Sequence, residues 1–303
     1  LEGSSLSDIK LFSTEVGVTE LPSSSVVLEK DLQILIEQNM ATFFGVTFLK
    51  SEYPITNGRI DSLGIDENYC PVIFEYKRSL NENVINQGLF YLDWLLDHKA
   101  DFKLSVMEKL GKEVADKIDW TIPCVICIAS DFTKFDEHAV NQMQRNIKLV
   151  RYRKFGNNLI LFEHINAPTL KAITEVSDSG GNGKNTSQNS FLKQYDGAQY
   201  ELRKIYDSIR NYIMSLGDDI SENQLKFYVA FKKIKNIVCV EIYKKKILLY
   251  LKLNPDDVEM VEFFSRDMRN IGHYGTGDVQ IIVNNVEDFE RAKAYIDKAY
   301  HQN

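Results

Sequence analysis

The chain has 303 residues, of which 44% are hydrophobic and 26% charged, with a formal net charge of −7. That is the composition of a globular protein, and the length suggests two domains. No apolar run approaches the ~20 residues of a membrane-spanning helix, and the first residues lack a secretory apolar core, so no membrane association is expected. The four cysteines are too few and too scattered for a disulfide framework. Cys124 and Cys127 form a lone C-x-x-C inside an apolar run, on opposite faces of any strand. Zinc or redox chemistry is not expected there, and the reducing cytoplasm is the expected compartment. Residues 1–176 carry 18 Lys+Arg against 25 Asp+Glu, and residues 177–303 carry 18 against 18. The acidity is confined to the first part, which argues against a passive nucleic-acid coat there.

Residues 1–25 are polar and Ser-rich, with a short strand expected at Ile9 to Phe12. A helix from Val26 to Asn39 follows, with Ser25 as N-cap. At about 100° per residue, Leu28, Leu32, Leu35 and Ile36 form one stripe. Glu29 falls at the stripe's edge, beside Ile36, and can look toward the protein. Glu37 falls nearly opposite the stripe's centre and reads as a solvated charge.

After a strand from Val46 to Ile55 comes Gly58 to Arg78, two β-like runs flanking a turn at Asp66-Glu67-Asn68. Side chains alternate along a strand, so Glu75 and Lys77 share one face and Phe74 and Tyr76 take the other. Pairing the runs as a hairpin brings Asp61 close to the charged face. Two carboxylates and a lysine among Val, Ile and Phe are costly to bury without a purpose, and a divalent cation would supply one. A structural ion pair between Asp61 and Lys77 is the plainer alternative.

Asn83 can cap a helix from Val84 to about His98, apolar almost all round, in which Gln87 and Tyr91 are four apart and share a face. These two also read as core polar residues with satisfied hydrogen bonds, and His98 and His138 read as structural or surface histidines. A helix from Asp101 to Ile118 leads into Thr121 to Ala129, whose unbroken apolar character predicts a central strand covered on both faces. A helix from Glu137 to Asn146 and strands from Lys148 to Arg153 and Leu159 to Ile165 complete this part.

Residues 177–190 contain no hydrophobic residue and read as a flexible linker between a first domain, 1–176, and a second, 191–303. The second domain is expected to be α+β with an antiparallel sheet. Its predicted order is a helix from Gln199 to Leu216, three alternating runs between Phe227 and Leu253, a helix near Val258 to Asp267, a strand from Val279 to Val283 and a closing helix from Asp288 to Tyr300. Residues 226–252 hold eight lysines and one acidic residue, either a solvated face or a surface for nucleic acid.

The spacing of Asp61, thirteen residues, then Glu75-x-Lys77 resembles the PD-(D/E)XK (restriction-endonuclease-like) nuclease superfamily, nearest its NucS and RecB-like branches. Gly-Arg-Ile-Asp before it, the upstream helical Glu29 and the downstream Gln-x-x-x-Tyr carry the resemblance over residues 26–165. The Pro that precedes the Asp in the family's name is absent; Arg59-Ile60-Asp61 stands there.

The resemblance implies an α/β domain with a mixed sheet flanked by helices and a Mg²⁺- or Mn²⁺-dependent nuclease acting on nucleic acid, DNA first. Asp61 and Glu75 would hold the metal with the backbone carbonyl of Tyr76, Glu29 would complete the shell directly or through water, and Lys77 would orient or deprotonate the attacking water or stabilise the charge developing on phosphate. Gln87 would support Lys77 or contact the substrate backbone, and Arg59, Arg78 and Tyr91 would contact substrate. Many nucleases of this class pair, so a homodimer is a further expectation. The second domain resembles a domain of unknown function found after such nuclease-like domains in chains labelled "predicted transport protein", a label for which this sequence offers no membrane span. The competing reading keeps the nuclease fold as a binding module for nucleic acid or protein without turnover.

Overall fold

The structure, a computed structural model, describes residues 9–24, 29–77, 84–143, 145–165 and 190–303. The expected caps Ser25 and Asn83, the expected substrate contact Arg78 and all of the expected linker but Ser190 lie outside the described residues. The chain divides into two units, Leu1–Pro168 and Thr169–Asn303.

The first unit opens with a small antiparallel pair, β1 (Leu11–Ser13) and β2 (Thr19–Leu21), followed by β3 (Ser23–Ser24). Next come α1 (Glu29–Phe44), β4 (Val46–Ile55), β5 (Gly58–Asp66) and β6 (Pro71–Lys77). Helices α2 (Val84–Asp97), α3 (Lys99–Leu110) and α4 (Lys112–Ala115) lead to β7 (Cys124–Ala129). Helix α5 (Lys134–Gln142), β8 (Asn146–Phe155) and β9 (Leu159–His164) finish the unit. A seven-stranded sheet runs β3-β8-β7-β6-β5-β4, with β9 paired to β8. It is antiparallel from β4 to β6 and parallel from β6 to β8.

Strand β7 occupies the middle, and all six of its residues are buried, as its unbroken apolar run predicts. One face of the sheet packs against α1 through Phe74, Tyr76, Ile126, Ile128 and Tyr152. The opposite face, through Ile73, Val125, Cys127 and Leu149, packs against α2 and α3. Helix α2 presses close to the sheet at Gly88, where an added Cβ would meet Val125 Cγ1 at 2.6 Å. Each fully buried Ile or Phe in these layers contributes ~1.5–3 kcal/mol.

Helix α1 differs from its expected form. It runs on past Asn39, which breaks helical geometry at φ −127°, and ends at Gly45 with φ +65°. Its buried residues are Leu32, Gln33, Ile36, Met40 and Phe44, while Leu35 is exposed. The buried stripe is therefore rotated by roughly 80° from the one drawn through Leu28, Leu32, Leu35 and Ile36. Two aromatics and a methionine beyond Asn39 outweigh Leu35 in choosing the inner face.

The second unit contains α6 (Phe191–Gly197), α7 (Tyr200–Ser215), β10 (Ser221–Gln224), β11 (Val229–Lys232), β12 (Asn236–Ile242) and β13 (Ile247–Leu251). A 3₁₀ turn at Pro255–Asp257, β14 (Ser265–Asp267), β15 (Val279–Val283) and α8 (Val286–Gln302) follow. The six strands are antiparallel in the order β10-β11-β12-β13-β15-β14. By alternation, Val238, Val240, Leu249, Leu251, Val279 and Ile281 face α7 and α8 in one core. Helix α7 answers with Leu202, Ile205, Ile209 and Ile213, and α8 with Phe289, Ala292, Ile296 and Ala299. The helix expected near Val258 to Asp267 is instead the 3₁₀ turn and β14, because Asn254-Pro255 starts a capped turn that does not propagate. The fold is thus α/β with a mixed sheet flanked by helices, joined in sequence to an α+β unit with an antiparallel sheet.

Candidate active site

The hairpin β5–β6 is set by its turn. Asp66 Oδ1 accepts from the backbone N–H of Asn68 and of Cys70, each at 2.9 Å, and Asp66 N donates to the Cys70 carbonyl. That turn fixes a register in which Ser62 faces Phe74 and Leu63 faces Ile73. One residue further, Asp61 comes opposite Glu75. Asp61 N donates to Glu75 Oε1 at 3.3 Å, and Tyr76 N donates to Asp61 Oδ2 at 3.1 Å. Each carboxylate thus takes one backbone N–H from the other's strand.

The second oxygen of Glu75 is different. Glu75 is fully buried, and among the described residues no N–H or O–H group donates to its Oε2. Leaving such a group unsatisfied costs ~1–3 kcal/mol or more. Burial, with the Asp61 charge added, pushes the Glu75 carboxyl up to about 9. Burial also raises the Asp61 carboxyl, against the Tyr76 N–H and the Lys77 charge, which pull it down. Burial is the first cause for both, and for Glu75 the neighbouring Asp61 charge adds to it, so a cation would ease ionisation of the pair. Cys127 lies across from Glu75 on β7, and its thiol is pushed up by burial and by the same carboxylate.

Lys77 ends β6 on the Glu75 side of the strand, and its charge lowers both carboxyls. Its Nζ stands 3.8 Å from Glu29 Oε1. Glu29 thus faces the protein, but toward the lysine. Among the described residues no three His, Cys, Asp or Glu side chains are grouped to hold a metal ion. The backbone of Tyr76 is at the centre of the pair, between Glu75 and Lys77, and its ring turns to the α1 face, where its hydroxyl donates to Ser62 Oγ at 3.1 Å.

Gln87 and Tyr91 meet each other: Gln87 Nε2 donates to the Tyr91 hydroxyl at 2.8 Å, and the Tyr91 ring is buried in the core beneath α2. Arg59 is 63% exposed and pairs through Nε with Glu52 Oε2.

Several residues around the hairpin were not anticipated. Glu52 has φ +52° inside β4, in the left-handed region that non-glycine residues rarely adopt. Burial pushes its carboxyl up, but Lys30 at 2.9 Å, Gln33 and Arg59 together hold it below the ordinary value. Its charge in turn raises Asp61. Gln33 is buried, and its Nε2 reaches the Asp61 carbonyl at 2.8 Å, Glu37 Oε1 at 2.9 Å and Ser51 Oγ at 3.2 Å. Glu37 also accepts from Ser62 Oγ at 2.6 Å. Glu37 is therefore no solvated charge: the rotated stripe of α1 turns it to the sheet. The i, i+4, i+8 spacing of Glu29, Gln33 and Glu37 was the available signal. At the same end of the sheet, the register sets Ala129 and Arg151 beside Lys77, with Arg151 buried between Asp131 at 2.7 Å and Glu163 at 3.0 Å.

Over 307 aligned residues the chain is 30% identical to an "Uncharacterized protein" of Haemophilus influenzae, covering 96% of this chain and 99% of the other. The chain belongs to the family of that protein. Residues 192–303 match the family described as a domain of unknown function (DUF5655). Among solved structures, a repair endonuclease from Pyrococcus abyssi matches at 20% identity over 42% of this chain, with a TM-score of 0.28. A complex of EndoMS with double-stranded DNA matches at 21% identity over 42%, with a TM-score of 0.26. Pyrococcus furiosus SfsA in complex with Ca²⁺ matches at 11% identity over 46%, with a TM-score of 0.26. The matched part spans 48%, 46% and 64% of those chains respectively, about half the length of the two endonucleases. No described helix is long and apolar enough to cross a membrane.

Proposed function

We propose that the first unit is a metal-dependent phosphodiesterase acting on nucleic acid, with DNA the first substrate to test. One observation carries the reading: a fully buried Glu75 whose Oε2 has no donor among the described residues, beside a second carboxylate, at a strand end where a lysine follows two residues on. A hydrophobic protein wall with that arrangement has one economical occupant, a small divalent cation. The donor set fits Mg²⁺ or Mn²⁺, which bind through one or two carboxylates, a carbonyl, waters and substrate phosphate. Asp61 and Glu75 would be its side-chain ligands, with the Tyr76 carbonyl as the main-chain one. When bound, the ion supplies Lewis-acid polarisation of the phosphoryl group and a water of lowered pKa.

The chain's own residues support the same chemistry. Lys77 holds a positive charge next to the carboxylate pair, where it can orient a water or stabilise charge developing on phosphate. Glu29 holds the Lys77 ammonium from the solvent side at 3.8 Å, a positioning role in place of direct ligation. Gln33 fixes the Asp61 carbonyl from α1 and so fixes the hairpin edge on which the pair is built. Gln87 and Tyr91 would steady α2 beside the site, and Arg59, exposed near the start of β5, would contact a phosphate.

The experiment is a cleavage assay on plasmid, single-stranded DNA and RNA with Mg²⁺ or Mn²⁺, comparing wild type with Asp61→Asn, Glu75→Gln and Lys77→Ala. Metal-dependent cleavage lost by ~100-fold or more in each variant supports the reading. Cleavage that persists in Glu75→Gln and Lys77→Ala refutes this site.

A further inference from the structure

The face of the second unit's sheet that turns away from α7 and α8 is built from polar and aromatic residues. Tyr250 stacks with His273 at 4.4 Å and 11°, and Gln280 Nε2 donates to the Tyr250 hydroxyl at 3.1 Å. Residues 268–278 lie over this face. Gly275, at φ +78°, approaches so closely that an added Cβ would stand 2.7 Å from Cys239 Cβ, and Asn236 Nδ2 donates to Thr276 Oγ1 at 3.0 Å. Glu241, 3% exposed, accepts from the Tyr243 hydroxyl at 2.6 Å. This polar underside is fixed, and it holds the aromatic rings above it in place.

Those rings gather at one end of the sheet. Pairing of Val229 with Val240 and of Ile242 with Ile247 brings the turn before β11 and the turn between β12 and β13 to the same end. There Tyr274 is 50% exposed, with one ring face stacked on Phe227 at 4.6 Å and 27°. Tyr243 is 39% exposed with its hydroxyl tied down by Glu241. Lys226 Nζ is 5.2 Å from the Phe227 ring centroid and Lys246 Nζ is 5.8 Å from that of Tyr243, so the ammonium groups flank the rings. Lys244 and Lys245 are exposed in the same turn.

The eight lysines of residues 226–252 are accordingly not one face. Lys232 is buried, Lys233, Lys235 and Lys252 lie toward the opposite end, and four lysines remain with the aromatics. Fixed, half-exposed rings flanked by four cations, with Glu241 buried beneath them, match a polymer of flat bases and phosphates. Duplex nucleic acid hides its base faces, whereas a single strand offers them. We propose that this end of the sheet binds single-stranded nucleic acid, with bases stacking on Tyr243 and Tyr274 and phosphates held by Lys226 and Lys244–Lys246. The choice of polymer rests on the reading of the first unit, while the surface itself rests on residues of the second unit alone.

The test uses the full chain in EDTA and a fluorescein-labelled mixed-sequence DNA strand of about 20 nucleotides, long enough for several stacked bases, read by anisotropy. Tyr243→Ala and Tyr274→Ala each weaken binding by roughly 10-fold, and Tyr274→Phe, which keeps the ring, binds like wild type. Replacing Lys244, Lys245 and Lys246 together by Gln lowers the slope of log affinity against log salt by about 2. Any of three results overturns the proposal: no saturable binding by wild type, alanine and glutamine variants equal to wild type, or tighter binding of the same sequence as a duplex. Poly-glutamate that displaces the strand as effectively as unlabelled DNA does also overturns it, since charge alone would then suffice. Strand binding that is absent, or that does not depend on Tyr274, with metal-dependent cleavage intact sinks this surface only. The reverse result, binding intact and cleavage absent, sinks only the nuclease reading.

Discussion

Replacing Glu75 by Gln removes one ionisable proton from the centre of the site while keeping its shape and one acceptor oxygen. In wild type, burial and the neighbouring Asp61 charge lift the Glu75 carboxyl from an ordinary 4.5 to about 9. Between those values the folded chain holds a proton that the unfolded chain has released. An acid whose folded pKa is raised therefore favours folding least at high pH, and wild-type stability falls as pH rises from about 4.5 toward about 9. Each pH unit in that window is worth ~1.4 kcal/mol, so wild type should lose on the order of 4 kcal/mol relative to Glu75→Gln between about pH 5 and about pH 8. The pH-independent cost of placing an amide there cancels in the comparison. Urea denaturation in EDTA, followed by a probe of the first unit such as Trp94 and Trp120 fluorescence, measures the difference at each pH. Both tryptophans belong to the first unit. Parallel pH profiles for the two proteins, or a wild type that gains on the variant at higher pH, would refute the electrostatic account of the site.

Three further outcomes follow from the same geometry. Mn²⁺ at about 100 times its dissociation constant should stabilise wild type by ~2.7 kcal/mol at about pH 8 and leave Asp61→Asn unchanged, as read by denaturation with and without EDTA. Gln33→Leu leaves the Asp61 carbonyl and Ser51 without their donor and should destabilise the first unit by roughly 1–3 kcal/mol in urea melts, with cleavage falling as the hairpin loosens. Gly88→Ala forces a methyl group against Val125 and should cost about 1–3 kcal/mol by the same measurement.

The hairpin was legible because it rests on short-range rules. Alternation placed Glu75 and Lys77 on one face, Asp66 and Asn68 marked the turn, and the apolar run at β7 marked a strand covered on both sides. Helical phase was less secure. Leu35 weighed as much as Ile36 in drawing the stripe of α1, yet only Ile36 is buried, because residues beyond Asn39 decide which face meets the sheet. That rotation concealed Gln33 and Glu37. Glu52 was invisible for another reason: it takes a positive φ inside β4, a conformation that a glutamate in an alternating strand does not announce. The lysine-rich run misled in a similar way, since it counts charges along the chain while the sheet divides them between two ends and the interior.

Titration calorimetry of Mn²⁺ into the full chain near pH 7, repeated in two buffers of different ionisation enthalpy, addresses the carboxylate pair most directly. A Glu75 carboxyl held near 9 is protonated at that pH, so cation binding must expel the proton. The predicted result is saturable binding at one ion per chain with release of about one proton, both absent in Glu75→Gln. Wild type that takes up no Mn²⁺, or a Glu75→Gln variant that binds it with the same proton release, would contradict the assignment of Asp61 and Glu75 as a cation site.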